Sequence, residues 1–200
     1  MEEGKTVVFQ IIAIVILVAF YGCYVAKMLN QRKKGIQTDQ MGKGKVGLVK
    51  FIEVTMKISA ILVFGAGLVS ILTGTSRGPV PLRAAGAVIS ALGTVFFVIS
   101  VLTMRDNWRA GVPEKDETEL VTSGIYQWSR NPAFLGFDLL YIGMLMMFFS
   151  WALLALTVFA ITMYHLQIVN VEEEYLLKAF GDDYLQYKKK VCRYIGRKRS

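Results

Sequence analysis

Two polar stretches on either side of a long apolar run decide the fold of this chain. Residues 119–136 read ELVTSGIYQWSRNPAFLG, and residues 172–187 read EEEYLLKAFGDDYLQY. Between them, residues 133–169 are mostly apolar, and the run is too long for one bilayer-spanning helix, which needs about 20 residues. The pair Ser150-Trp151 divides the run in two. The sequence therefore predicts a helical hairpin in the membrane, bracketed by charged residues that are functional candidates because burying them unpaired is costly.

Three further apolar runs, residues 7–29, 55–73 and 82–104, are each long enough to cross a bilayer as a helix. The first exceeds the apolar core of a signal peptide, about 7–15 residues, so we expect it to be retained. With 200 residues, of which 54% are apolar, the chain reads as one domain. We expect an all-α, polytopic integral membrane protein with about five transmembrane helices, a C-terminal helical hairpin and a cytoplasmic helical tail.

Basic residues predict the orientation of these helices. Lysine and arginine are frequent after the first and third runs and in the tail, whereas the opposite side has little beyond Lys5, Arg77 and Arg83. Because basic loops stay in the cytoplasm, we expect the N-terminus outside and the C-terminus inside the cell. Contacts with anionic membrane lipids then account for the net charge of +8, which indicates no nucleic-acid partner.

Neither a metal site nor a nucleotide loop is indicated. The chain has two distant cysteines, Cys23 and Cys192, and one histidine, His165, which are too few for a zinc site. Residues 42–47, GKGKVG, match the glycine spacing of a dinucleotide-binding loop, but that loop needs a preceding strand and a βαβ unit. A basic segment precedes it here, so we interpret residues 42–47 as a flexible interfacial loop.

The two polar stretches resemble the isoprenylcysteine carboxyl methyltransferase family and its phospholipid N-methyltransferase relatives. The resemblance rests on LVxxGxYxxxRxPxxxG at residues 120–136 and on EExxLxxxFGxxYxxY at residues 172–187. It implies S-adenosylmethionine as cofactor and a lipophilic or lipidated acceptor. It also implies a single methyltransferase domain over residues 1–200, with three N-terminal spans in residues 1–104 and the cofactor-binding and catalytic part in residues 105–200.

The resemblance also implies roles for single residues. The catalytic pair is Arg130 and Glu173. The run of Glu172, Glu173 and Glu174 after the last span also indicates a buried carboxylate that faces the Arg130 corner. The implied cofactor-binding residues are Thr118, Glu119, Leu120, Val121, Tyr126, Asn131, Pro132, Ala133, Phe134 and Glu172, and the substrate contacts are Trp108, Gln167 and Ile168. The residues alone leave simpler interpretations open: an arginine that reaches lipid phosphate from a helix start, an acidic first helical turn, and an amphipathic loop on the membrane.

Three positions depart from the family pattern, and the first is Thr118, where the family often has a histidine. Asn131 stands where histidine is usual, and Ile168 stands where prenylcysteine-acting members carry an arginine thought to hold the substrate. We therefore expect a carboxylate acceptor to lack its usual partner, which makes its burial costly. His165 lies two helical turns before Glu172, and we favour an interfacial histidine over a general base there.

Two other functions remain compatible with this sequence. Membrane sterol and steroid reductases that use NADPH have a similar glycine, aromatic, arginine and proline corner, but the acidic stretch at residues 172–181 favours methyl transfer over reduction. A non-catalytic membrane scaffold would keep the helices alone.

Overall fold

Apolar helices make up most of the chain. The computed structural model describes residues 2–76, 78–113 and 118–198. The main helices are α1 (Glu2–Lys33), α2 (Gly47–Leu72), α3 (Val80–Met104), α4 (Pro132–Met147), α5 (Trp151–Gln167) and α6 (Glu173–Lys190), and the described residues contain no β-strand. Four helical segments are long and apolar enough to cross a membrane, and α4 is a shorter apolar helix. The predicted all-α, polytopic architecture is confirmed.

Local chemistry sets the ends of the C-terminal helices. Pro132 begins α4, where its missing N–H would be unpaired in any case. Ser150 caps α5 by accepting a hydrogen bond from the backbone N–H of Leu153 at 3.1 Å, so the hairpin turns where the sequence predicted. Gly181, with a φ of 49°, kinks α6 into two parts after Phe180, in a backbone conformation that glycine adopts readily.

One irregular turn was not predicted. Between α5 and α6, residues Ile168–Glu172 form a π-helical turn, with one more residue per turn than the helices it joins. Such turns are rare and frequently lie at functional sites. The turn ends at Glu172 and is followed at once by Glu173, so both carboxylates lie at this irregular junction.

Helices α3 and α4 approach so closely that their backbones touch. A Cβ added to Gly93 would lie 2.6 Å from the carbonyl oxygen of Gly136, and one added to Gly143 would lie 2.4 Å from that of Gly86. Only glycine permits this approach, because both distances are shorter than van der Waals contact. The contact fixes the start of α4 relative to the end of α3.

Aromatic side chains fill the interior where α1, α3 and α4 meet. Phe20 stacks on Phe97 with ring centroids 4.3 Å apart, and Phe97 meets Phe137 edge to face at 5.2 Å. Trp108, just after α3, packs against the edge of Phe97. The outer faces of the long helices expose apolar side chains such as Val18, which suits contact with lipid.

The first loop is anchored rather than loosely placed at the surface. Glu53 of α2 is fully buried and accepts hydrogen bonds from the backbone N–H groups of Gly42 at 2.7 Å and Val112 at 3.3 Å. Lys45 pairs with Glu53 at 3.3 Å and donates to the carbonyl of Val112 at 2.7 Å. A buried carboxylate needs such partners, so residues 42–47 are held against the segment after α3, which differs from the flexible loop that we expected.

The α3–α4 contact predicts a sharp intolerance of added volume. Gly143→Ala should destabilise the protein by about 1–3 kcal/mol, because the new methyl group overlaps the carbonyl oxygen of Gly86 and the hydroxyl of Ser90. Thermal unfolding in detergent micelles would show this as a lower Tm. Gly22→Ala on α1 is the matched control, since no atom lies within 4 Å of its added carbon. Equal Tm values for both variants would contradict the close contact.

Candidate active site

A single large cavity collects residues from all six helices. Its volume is 470 Å³, within the range of about 300–1,000 Å³ typical of small-molecule sites. The segments 104–113 and 118–131, which follow α3, form one side of it. Parts of α1, α2, α4, α5 and α6 form the remaining walls.

Twelve of the fifteen residues named from the sequence line this cavity. They are Trp108, Thr118, Glu119, Leu120, Val121, Tyr126, Arg130, Asn131, Pro132, Ala133, Phe134 and Glu172. The other three do not line it: Glu173 lies behind Arg130, and Gln167 and Ile168 are fully buried. The fold thus brings together segments that lie more than 50 residues apart in the chain.

The segment before the first polar corner is held at both ends. The backbone N–H of Glu119 donates to the side-chain oxygen of Asn107 at 3.1 Å. The hydroxyl of Thr118 lies 3.4 Å from that of Tyr175 on α6. Residues 118–121 have no regular secondary structure, so backbone groups of Leu120 and Val121 are not committed to a helix and lie at the cavity wall.

Tyr126 is a buried member of the same wall. It lies in the 3-10 helix Gly124–Gln127, and its backbone carbonyl accepts a hydrogen bond from the hydroxyl of Tyr187 at 2.6 Å. Burial, together with the nearby Tyr187 and Glu172, raises the pKa of Tyr126 well above its ordinary value. The phenol therefore stays neutral at any physiological pH.

Arg130 lies at the centre of a buried network. Its Nη2 atom pairs with Glu173 at 3.0 Å, its Nη1 atom donates to the hydroxyl of Tyr184 at 2.7 Å, and its Nε atom donates to the carbonyl of Val191 at 3.2 Å. The side chain is only 4% exposed. These contacts use three of the five guanidinium N–H groups, which leaves two for a ligand in the cavity.

Glu173 gathers three cations. Besides Arg130, it accepts hydrogen bonds from Arg193 at 2.7 Å and from Lys188 at 2.7 Å. The bond to Glu173 raises the pKa of Arg193 further above its ordinary value. Glu173 therefore fastens the Arg130 corner to the C-terminal tail, and its position suits orienting Arg130 rather than touching a ligand.

Glu172, the residue before Glu173, makes different contacts. Glu172 lines the cavity, and its carboxylate accepts a 3.4 Å hydrogen bond from the side-chain amide of Gln167. The two neighbouring glutamates thus divide their contacts between the cavity and the tail. No sequence signal marks the π-helical turn that precedes them.

Asn131, in the position usually held by histidine, also contacts the tail. Its side-chain amide donates to the carbonyl of Arg193 at 3.1 Å, and its backbone N–H donates to the hydroxyl of Ser129 at 3.1 Å. His165 is outside the cavity lining, and its ring nitrogen Nδ1 lies 2.6 Å from the hydroxyl of Tyr194.

Sequence reasoning missed the membrane-side part of the cavity. One face of α2 lines this part of the cavity through residues at helical spacing, Lys57, Ala60, Ile61 and Phe64. The sequence motifs had named none of these four residues. Tyr21 of α1 meets Phe64 edge to face, with ring centroids 4.8 Å apart. The spacing alone marks a shared face but does not tell whether lipid or a cavity covers it.

Residues 82–183, just over half of the chain, match the phospholipid methyltransferase family. This chain belongs to that family. The match begins in α3 and ends just after the kink of α6, so it includes the glycine contact, the Arg130 corner and both glutamates. Fold and comparison agree that the chain is an integral membrane protein.

Curated relatives match up to 55% of the chain. The chain is 32% identical over 108 residues to the protein-S-isoprenylcysteine O-methyltransferase of Saccharomyces cerevisiae. This match covers 53% of the present chain and 45% of the relative. It is 34% identical over 114 residues to that of Rattus norvegicus, covering 55% and 39%. It is 38% identical over 72 residues to that of Schizosaccharomyces pombe, covering 36% and 30%. The matched region is less than half the length of each of these relatives.

The Glu173 network predicts unequal effects for two neighbouring glutamates. Glu173→Gln should destabilise the protein by roughly 3 kcal/mol, because it leaves the buried Arg130 without its anion. Glu174→Gln is the control: its pair with Lys178 is well exposed and contributes about 0–1 kcal/mol. Thermal unfolding in micelles measures both. A Tm for Glu173→Gln as high as that of the control would contradict the proposed fastening role.

Proposed function

We propose that this protein is an integral-membrane methyltransferase that uses S-adenosylmethionine to methylate a lipophilic acceptor. One observation carries the proposal: a single cavity joins a polar end, with Arg130, Glu172 and residues 118–121, to an apolar end formed by α1 and α2. A methyl donor and a lipid-like acceptor require this combination. Membership of the phospholipid methyltransferase family supports the same reaction.

The residues at the polar end fit the cofactor. The carboxylate of Glu172 is suited to the ribose hydroxyls or the amino group, and the segment 118–121 with the ring of Tyr126 is suited to the adenine. When bound, S-adenosylmethionine supplies a methyl group on a positively charged sulfur, which an in-line nucleophile can displace. A cationic ligand bound beside Glu172 favours the ionised form of its buried carboxyl group, and the two opposite charges then attract each other.

The chain's own task is then to position the acceptor and to exclude water. Arg130 has two N–H groups left for the acceptor, and Glu173 and Tyr184 hold its guanidinium in place. An ionised carboxylate or thiolate needs no general base, so orientation and loss of water carry most of the rate. His165 is outside the cavity lining and has no part in this scheme.

The acceptor reaches the site from the bilayer. Ile61 and Phe64 of α2 line the cavity and are also 62% and 38% exposed at the surface of the bundle. Because these apolar side chains contact both the bilayer and the cavity, a lipid chain can pass between α1 and α2 without crossing water. Cofactor and acceptor then approach from different sides.

We also propose that the polar end of the cavity faces the cytoplasm. The end of α1 is joined to the segment after α3 by the hydrogen bond from Gln31 to the carbonyl of Trp108, at 2.9 Å. The basic tail packs on the Arg130 corner through Arg193. All three basic parts of the chain therefore lie at the end of the bundle that holds the polar site, which supports a cytoplasmic location.

Calorimetric titration of the purified protein in micelles tests the cofactor. S-adenosylmethionine should bind the wild type, and Glu172→Gln should bind it about tenfold more weakly, the effect of losing a charged hydrogen bond of about 1.5 kcal/mol. Glu174→Gln should bind like the wild type, since Glu174 is exposed and lies outside the cavity lining. Binding of NADPH instead would favour a reductase, and binding of neither would favour a scaffold.

Reporter fusions test the orientation. A reporter fused after Ser200 should be active only in its cytoplasmic form, and one inserted within residues 74–78 only in its external form, because the basic loops retain their end of the bundle in the cytoplasm. Paired reporters that are active on opposite sides of the membrane make the measurement. The reverse pattern would overturn the cytoplasmic site.

A further inference from the structure

A buried amide lies where α5 ends, behind the polar end of the cavity. Gln167 is the last residue of α5, and its side chain is fully buried. Its Nε2 atom donates to the carboxylate of Glu172 at 3.4 Å, whereas no donor in the described part of the chain reaches its Oε1 atom. A buried amide with an unpaired oxygen destabilises a fold, so packing alone does not account for Gln167.

The contact between the two side chains crosses the π-helical turn. Gln167 and Glu172 are five residues apart, and the backbone N–H of Glu173 donates to the carbonyl of Ile168, which is also five residues earlier. In a regular α-helix, side chains five residues apart lie about 140° apart around the axis and do not meet. The amide thus reaches the carboxylate at the one place where this helix has its wider turn.

The two neighbouring glutamates have partners of different charge. Glu173 pairs with three cations, Arg130, Lys188 and Arg193. Glu172 lines the cavity and forms no ion pair with a cation of the described residues, and its side-chain partner is the neutral amide of Gln167. A neutral donor holds a carboxylate in place without cancelling its charge. The charge of Glu172, once formed, therefore remains for a ligand in the cavity.

The amide also affects how readily this charge forms. Glu172 lies beyond the end of α5, where burial raises the pKa of its carboxyl group to about 7 and the hydrogen bond from Gln167 lowers it. A carboxyl group with this pKa is partly protonated at neutral pH. Each contact that favours the ionised form therefore increases the share of charged carboxylate that a cationic ligand meets.

Other charged and titratable groups face Glu172 from the surrounding elements. Lys45 of the first loop lowers the pKa of Glu172, but Lys45 is paired with Glu53 of α2, whose charge raises it. The phenols of Tyr126 and Tyr184 stay neutral, because burial raises the pKa of both. Since the effects of Lys45 and Glu53 oppose each other, the amide is the neighbour whose favourable effect is not offset.

We propose that Gln167 is a positioning residue that keeps Glu172 ionised and directed at S-adenosylmethionine without touching the cofactor itself. This inference rests on the proposed function and adds a residue to its cofactor site. It gives Gln167 a role other than the substrate contact that the family resemblance implied.

Gln167→Met tests this role, because methionine keeps the length of the side chain and removes the amide. In calorimetric titrations in micelles at neutral pH, the variant should bind S-adenosylmethionine about fivefold more weakly than the wild type, or weaker still. The Tm of the ligand-free variant should not fall, since an unpaired buried oxygen is removed and Glu172 can take up a proton. A purely structural amide would give the opposite pattern, a lower Tm with unchanged affinity.

The pH dependence of binding separates the charge of Glu172 from the shape of the site. Affinity should weaken as the pH falls, because protonation removes the charge that the cofactor meets. In Gln167→Met this weakening should begin at a pH higher by about half a unit or more, since the donor that favours the ionised form is gone. Glu172→Gln should lack this pH dependence, and the double variant should bind like Glu172→Gln alone, because Gln167 acts through Glu172.

Thr157→Val is the matched control. Thr157 is another buried polar residue of α5 whose hydroxyl has no hydrogen-bond partner among the described residues, and it lies outside the cavity lining. This variant should leave both the affinity and its pH dependence unchanged. A loss of affinity in Gln167→Met that persists in full in the Glu172→Gln background would overturn the inference, and so would an equal loss in Thr157→Val.

The same titrations distinguish this inference from the proposed function. If the wild type does not bind S-adenosylmethionine, the cofactor site is refuted and the role of Gln167 with it. If the wild type binds and Glu172→Gln weakens binding, but Gln167→Met binds like the wild type with the same pH dependence, the role of Gln167 alone is refuted.

Discussion

The buried pair of Arg130 and Glu173 is the interaction on which the site depends. It joins the corner before α4 to α6, two parts of the chain separated by the whole helical hairpin. Because both charges are almost completely shielded from water, neither is tolerable without the other. Lys188 and Arg193 pair with the same carboxylate, and Arg193 brings the C-terminal segment into the same contact. The polar end of the cavity exists because these charges hold its walls together.

A second constraint comes from the membrane. Backbone groups in lipid must be satisfied within helices, so irregular segments are confined to the ends of the bundle or to places that protein covers. The irregular residues 118–121 and the π-helical turn Ile168–Glu172 both lie at the end that holds the polar site. Backbone and carboxylate groups are available to a ligand there, while the rest of the cavity is lined by side chains of regular helices. This division explains why one chamber is polar at one end and apolar at the other.

The sequence predicted those features that local chemistry determines. The break at Ser150-Trp151 follows from a capping serine and is readable from a few residues. The prediction that residues 118–134 and Glu172 form one site followed from the family resemblance and not from the spacing of these residues in the sequence. The anchoring of residues 42–47 by Glu53 depends on contacts with Val112, far along the chain, and no local pattern reports it. The π-helical turn that ends at Glu172 has no characteristic composition, so no local pattern predicts it.

The glycine contact between α3 and α4 also divides the molecule into parts that differ in freedom to move. Backbones that touch at Gly86, Gly93, Gly136 and Gly143 cannot slide past each other without a clash, so these two helices behave as one rigid body. Arg130 is attached to that body at the start of α4. The wall formed by α1 and α2 is different, since Tyr21 and Phe64 meet there through ring edges, which can rotate apart. Any opening of the cavity wall therefore belongs to α1 and α2, and the corner that holds Arg130 is not displaced by it.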